Sequence, residues 1–191
     1  MSKRAFIIHG WGGFPDNHWF PWLKQELEKN NFTVQIPAMP NPDNPTINEW
    51  VGSLALTVGV ADENTFFIGH SIGCQTILRY LEQLPENIKI GGLVCVAGFF
   101  RLLHLETEEE KIIAAPWLDT PINFEKIKKH TNKISAIFSD NDPDVDLDNK
   151  KLFKKYLNAK TIVEHNKEHF TADAGITELL SALQAVLEMS K

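Results

Sequence analysis

Residues 65–78 read T-F-F-I-G-H-S-I-G-C-Q-T-I-L, and the reading of this stretch decides the architecture. The apolar run Phe66-Phe67-Ile68 has the continuous hydrophobicity of a strand buried on both faces. Gly69-His70-Ser71-Ile72-Gly73 then turns the chain, and a helical pattern begins at once. A G-x-S-x-G between strand and helix holds its serine at the tip of a nucleophile elbow. Such a turn needs a strained centre, and small flanking residues let strand and helix pass without clash. The three-position match alone arises by chance in about 6% of chains this long, given ordinary Gly and Ser frequencies. A serine that merely caps the helix would read the same way. The decision therefore rests on whether the rest of the chain supplies what such a serine needs.

Working outward, Ala5-Phe6-Ile7-Ile8 is a second buried-strand pattern and runs into the glycine-rich loop His9-Gly10-Trp11-Gly12-Gly13. Residues 18–30 read as an amphipathic helix, Phe32 to Ile36 as a strand, and Pro37 to Pro45 as a loop. Thr46 with Glu49 spells a capping box for a helix running to about Val60. Beyond the elbow helix, Gly91 to Ala97 is a further strand. Phe99 to Pro121 breaks the rhythm and reads as an irregular excursion or short helices over the sheet. Residues 124–130 and 149–157 read as helices, and Ile134 to Phe138 and Lys160 to Glu164 as strands. Asp173 to Met189 closes the chain as an amphipathic helix. Strands alternating with helices predict one α/β domain over residues 1–191, an about six-stranded, mostly parallel sheet covered on both faces.

Composition narrows the function. A chain of 191 residues buries roughly 70% of its unfolded surface as one domain. A net charge of −6 argues against a nucleic-acid partner, which wants clustered Lys and Arg. No apolar run approaches the ~18 residues of a membrane span, and the N-terminus does not read as a signal peptide. Cys74 and Cys95 lie in apolar stretches and read as small buried hydrophobes, so a cytoplasmic location is expected.

A serine alcohol needs a base to take its proton and a carboxylate to orient that base. The fifth strand ends in Ser139-Asp140-Asn141-Asp142-Pro143-Asp144, and the sixth is followed by His165-Asn166-Lys167-Glu168-His169-Phe170. Both therefore fall at the carboxyl edge, where open α/β sheets place their sites. Backbone N–H groups for an oxyanion are expected from Ile72, directly after the serine, and from Trp11 in the first loop. A dinucleotide fingerprint fails, since G-x-G-x-x-G is absent. His165 to His169 matches H-x-x-E-H, but that zinc motif needs a helix and this stretch reads as loop. Asp140 to Asp148 alternates like a calcium loop, yet lacks the required Gly and Glu. No metal or cofactor is expected. His70 and His9 read as packing and loop-orienting residues, and His18, His104 and His130 carry no pattern.

Taken together, Asn17 to Lys24 (N-H-W-F-P-W-L-K), Met39 to Pro42 (M-P-N-P), Gly69 to Cys74 (G-H-S-I-G-C), Ser139 to Pro143 (S-D-N-D-P) and Glu168 to Phe170 (E-H-F) resemble the small serine hydrolases of the YdeN and retinoblastoma-binding type. The resemblance spans nearly the whole chain and implies a compact α/β-hydrolase fold without a large cap domain. It implies a triad of Ser71, Asp142 and His169, the acid being the D-D-P member of its loop. Two departures stand out: Glu168 replaces the usual Gly before the histidine, and Asp146 replaces a common Pro. The L-x-C-x-E stretch through which the mammalian member binds pocket proteins is absent, residues 59–63 reading G-V-A-D-E, so no such partner is expected.

The expected function is hydrolysis of small carboxylic esters, with amides or thioesters as further substrates. Phe99, Phe100, Trp117 and Phe170 are the candidate pocket walls. The alternative is a binding or regulatory module on a hydrolase scaffold, which a fluorophosphonate label on Ser71 would exclude.

Overall fold

The computed structural model describes residues 2–191. Six strands, β1 (Lys3–Ile8), β2 (Phe32–Gln35), β3 (Thr65–His70), β4 (Gly92–Val96), β5 (Ile134–Ser139) and β6 (Lys160–Glu164), form one parallel sheet in the order β2-β1-β3-β4-β5-β6. Seven helices flank it: α1 (Phe20–Lys29), α2 (Ile47–Val58), α3 (Ile72–Gln83), α4 (Glu108–Asp119), α5 (Phe124–His130), α6 (Asn149–Leu157) and α7 (Leu180–Met189). This is the α/β architecture expected from the alternation of strand and helix patterns.

Side-chain alternation along each strand builds two cores. Phe6 and Ile8, Phe67, Leu93 and Cys95 point to the face covered by α2 and α3. Ala5 and Ile7, Phe66, Ile68, Val94 and Val96 point to the face covered by α1 and α7. The chain leaves β1 to form β2 on one side, then returns to place β3 on the other. That reversal opens a crevice between the carboxyl ends of β1 and β3, where open α/β sheets bind ligands. The register pairs Ile8 with Gly69, so the loop after β1 and the elbow after β3 emerge side by side.

Two boundaries differ from the sequence expectation. The last helix begins at Leu180 rather than Asp173, because Gly175 adopts φ 77° and Leu179 a non-helical backbone (φ −139°, ψ 83°) that a helix cannot continue through. The excursion after β4 stays irregular only to Thr107. There Thr107 and Glu110 close a capping box, and α4 follows. No helix among the described residues is long and apolar enough to cross a membrane.

Candidate active site

Ser71 sits where β3 becomes α3, at φ 52° and ψ −121°, a backbone state that non-glycine residues rarely adopt. Two glycines make the turn physically possible. A Cβ on Gly69 would lie 2.7 Å from the Cys74 nitrogen, and one on Gly73 would collide with the carbonyl oxygens of Ile8 and His9. The elbow is thus closed against its own helix on one side and against the end of β1 on the other.

His169 lies in the loop after β6. Its Nδ1–H donates to both carboxylate oxygens of Asp142, at 3.0 and 2.9 Å. The Asp142 side chain is 2% exposed, and its Oδ1 also accepts from the backbone N–H groups of Asp144 and Val145. The carboxylate is therefore fixed by its own loop before it meets the imidazole. Asp140 has other work: it accepts from Asn166 N–H and His165 Nδ1–H, and these bonds hold its carboxyl below the usual range. Asp144 is half exposed, with one oxygen 3.9 Å from His169 Nδ1. Residues 165–170 form a turn, so the H-x-x-E-H sequence lies on no helix. His165 faces Asp140 while His169 faces Asp142. Asp142, Asp144 and His169 do bring ligand-type atoms within 4.8 Å of one another, but the Nδ1 among them is taken by Asp142.

His70 joins the nucleophile's turn to the loop of the imidazole. Its partner is the His169 carbonyl oxygen at 2.8 Å, which can only accept, so Nε2 carries the proton. His70 is fully buried among Trp19, Phe20 and His18, with its ring centroid 4.9 Å from that of His169. Burial, reinforced by the neighbouring His169, pushes its pKa well below the ordinary histidine value and keeps it neutral. Read from the sequence as packing alone, His70 is also a hydrogen-bond donor that locates the His169 backbone.

The loop after β1 is anchored from below. His9 bonds the Gly10 carbonyl through Nδ1–H and accepts the Met39 N–H on Nε2. Indole N–H groups of Trp11, Trp50 and Trp117 donate to the carbonyls of Asp43, Pro40 and Pro45. The Pro- and Asn-rich segment is thus a rigid base for Gly10 to Gly13, not a free loop. Trp11 and Ile72 both border the same cavity as Ser71. Neither amide donates to another group among the described residues, and that of Ile72 opens a helix whose first N–H groups have no internal partner.

That cavity, about 330 Å³, opens at the carboxyl edge and holds Ser71, His169, His18 and Phe99 on its walls. The Ser71 hydroxyl makes no hydrogen bond to His169, whose ring bonds to Asp142. Of the four aromatic residues expected as walls, only Phe99 lines it. Phe100 stacks on Phe153 and packs against Phe124 and Tyr156. Trp117 is buried against Trp50, and Phe170 lies in the α1/α7 core. The walls instead come from His18, Leu102, His104, Leu105, Glu106, Glu110, Asp144 and Thr171. His18 is brought in by a bond from Ala172 N–H to its Nδ1, across 154 residues of sequence. The N-H-W-F-P-W-L-K segment was the one local signal for it.

Elbow, reversed crevice and carboxyl-edge loops define an α/β-hydrolase. The sequence profile of the serine hydrolase family matches residues 5–188, and the chain belongs to that family. It is 33% identical over 180 residues to YdeN of Bacillus subtilis strain 168, covering 94% of this chain and 92% of that one. It is 26% identical over 187 residues to the serine hydrolase RBBP9 of Rattus norvegicus, covering 96% and 95%. The crystal structure of the ydeN gene product from B. subtilis superposes with a TM-score of 0.90 at 30% identity, covering 98% of both chains. Est1E from Butyrivibrio proteoclasticus with ferulic acid bound shares the fold at a TM-score of 0.75 and 17% identity, covering 97% of this chain and 87% of that one. The protein is a serine hydrolase.

Proposed function

We propose that this hydrolase cleaves small carboxylic esters, and amides or thioesters of similar size, with Ser71 as nucleophile, His169 as base and Asp142 as its orienting acid. The observation that carries the reading is the paired bond from His169 Nδ1–H to Asp142. It fixes the tautomer, leaving the Nε2 lone pair to take a proton. The Ser71 oxygen attacks the substrate carbonyl as its proton passes to Nε2. The resulting imidazolium is stabilised by the nearly dry Asp142 carboxylate. The Ile72 and Trp11 amides receive the oxyanion. Collapse of the tetrahedral adduct breaks the bond to the leaving group, which takes the proton from His169. Water, deprotonated by the same imidazole, then cleaves the acyl-serine and restores the enzyme.

The cavity volume stands near the lower end of the range for small-molecule sites, which supports short acyl groups. The test is labelling with a fluorophosphonate alongside turnover of short p-nitrophenyl esters. Wild type should label and show turnover, whereas Ser71→Ala should not label and should lose roughly 10⁶-fold in kcat. Equal labelling of the two proteins would overturn the assignment of Ser71.

A further inference from the structure

His18 borders the cavity beside Ser71, yet neither the triad nor the oxyanion amides use it. Its Nδ1 accepts the Ala172 N–H at 2.9 Å, so Nδ1 carries no proton and the neutral ring must hold its proton on Nε2. Nε2 has no partner among the described residues and is open to solvent. The ring plane is fixed as well, by edge contacts with Phe20 at 5.4 Å and His70 at 5.6 Å between centroids. Burial first, and then the neighbouring His169, lower the His18 pKa, which keeps the ring neutral near pH 7.

The other ring N–H groups fixed around the cavity are already engaged. His70 Nε2–H is held by the His169 carbonyl, His169 Nδ1–H by Asp142, and Trp11 Nε1–H by the Asp43 carbonyl. His104 lies on the exposed, irregular segment before α4. His18 is thus a ring donor locked in tautomer and plane, with nothing to donate to until a ligand enters. Its anchor, Ala172, follows His169 by three residues in the same loop. The donor therefore stands on the side of the base, where the leaving group departs.

Resting on the ester-cleaving reading above, we infer that His18 determines specificity by donating its Nε2–H to an acceptor oxygen in the alcohol portion of the ester. The substrate class is then esters whose leaving group carries an ether, hydroxyl or carbonyl oxygen a short arm from the scissile bond. A purely hydrocarbon leaving group strips water from Nε2–H and returns no acceptor, so it binds less well. A donor already fixed in place loses little freedom when it engages the substrate.

Two acetate esters of equal length test this: methoxyethyl acetate, and n-butyl acetate with a methylene in place of the ether oxygen. The readout is the methoxyethyl-to-butyl ratio of kcat/KM, compared between wild type and variants so that the esters' own reactivity difference cancels. A ratio within one variant is also unaffected by how much of it folds. Asn and Gln separate the two nitrogens of His18. His18→Asn puts an oxygen where Nδ1 was, keeps the bond to Ala172 and tolerates φ 55°, but removes the donor at Nε2. His18→Gln gives up the Ala172 bond and places an amide N–H near the Nε2 position. The ratio should fall roughly fivefold in His18→Asn and stay closer to wild type in His18→Gln. A wild-type ratio in His18→Asn, or a His18→Gln ratio no higher than that of His18→Asn, overturns the inference while leaving ester cleavage standing. No turnover of either ester by wild type together with no label on Ser71 overturns both.

Discussion

The two ends of the sheet are built from the same strands and helices, yet they treat the backbone and charge oppositely. At the carboxyl edge, Ser71, Ala97, Glu168 and Phe170 hold positive φ although their side chains disfavour it, beside the more tolerant His18, Asn41 and Asn166. At the amino edge, the non-glycine residues in that region are Asn31 and Asn158, helix-terminal asparagines that tolerate it well. The carboxyl edge has a cavity bordered by Glu106, Glu110 and Asp144. The amino edge has a second depression bordered by Lys89, Lys128, Lys129 and Lys133 together with Glu63. Backbone strain persists only where surrounding contacts fix it, and here it includes the proposed nucleophile Ser71 and the two residues that flank His169. The amino edge shows what the same fold does when only connection is required.

The largest effect expected from disturbing the carboxyl edge is on chemistry and not on folding. Asp142→Asn should leave His169 free to adopt the wrong tautomer and lower kcat by about 10⁴-fold. Urea unfolding should place the variant close to wild type, because the loop amides of Asp144 and Val145 can still donate to the Asn side-chain oxygen. A loss of activity matched by a collapse in stability would mean that the two ends differ less than the backbone suggests.

A smaller effect is expected at His70, which positions the base through the His169 backbone carbonyl. His70→Phe preserves the aromatic packing against Trp19 and Phe20 but removes the donor to the His169 carbonyl. It should lower kcat by up to roughly 10²-fold with little change in KM. His70→Gln, which can still donate, should recover much of that loss; equal losses in the two variants would reduce His70 to packing. The same residue sets a pH response. Its folded pKa lies well below the unfolded value of about 6.5, so both states are neutral above that pH and its contribution is complete there. Below it the unfolded chain takes up a proton that the folded chain refuses. Stability should then fall by up to about 1.4 kcal/mol per pH unit until the folded pKa is reached. His9 and His18, also lowered by burial, act in the same direction. Urea titrations between pH 5 and 8 should show His70→Phe with the shallower slope.

How much of this was legible in the sequence follows from the range of the interactions involved. The elbow was readable because strand, turn and helix are contiguous; strand order narrowed the acid and base to the loops after β5 and β6, and only the family resemblance singled out Asp142 and His169 within them. Thr107-x-x-Glu110 was an equally local signal for α4. The weak apolar pattern after it, interrupted by Pro116, hid the helix. The cavity walls were not local. Phe100, Trp117 and Phe170 have the composition of a pocket wall, but partners such as Phe153, Trp50 and the α1/α7 core claim them. His18 reaches the site only through Ala172 at the far end of the chain. Periodicity reports which face of an element is apolar, whereas a cavity depends on which of those faces remain uncovered after packing.

The smallest effect separates the two edges most directly. Glu168 holds φ 45° at the position before His169, where the resembled family usually has glycine. A non-glycine residue there costs roughly 1–2 kcal/mol in backbone strain, partly offset because glycine loses more freedom on folding. Glu168→Gly should therefore raise stability by about 0.5–1 kcal/mol, a melting shift of roughly 1–4 °C for a chain of this size. Asn158→Gly at the amino edge makes the matching substitution at φ 53°, where Asn is already at ease, and should change stability by only a few tenths of a kcal/mol. If the carboxyl edge is strained because the base must be held in one place, Glu168→Gly should also lower kcat several-fold as its loop gains freedom. Asn158→Gly should leave kcat alone. Equal stability gains at the two positions, or a stabilised Glu168→Gly enzyme with unchanged kcat, would show that the strain beside His169 is incidental to catalysis.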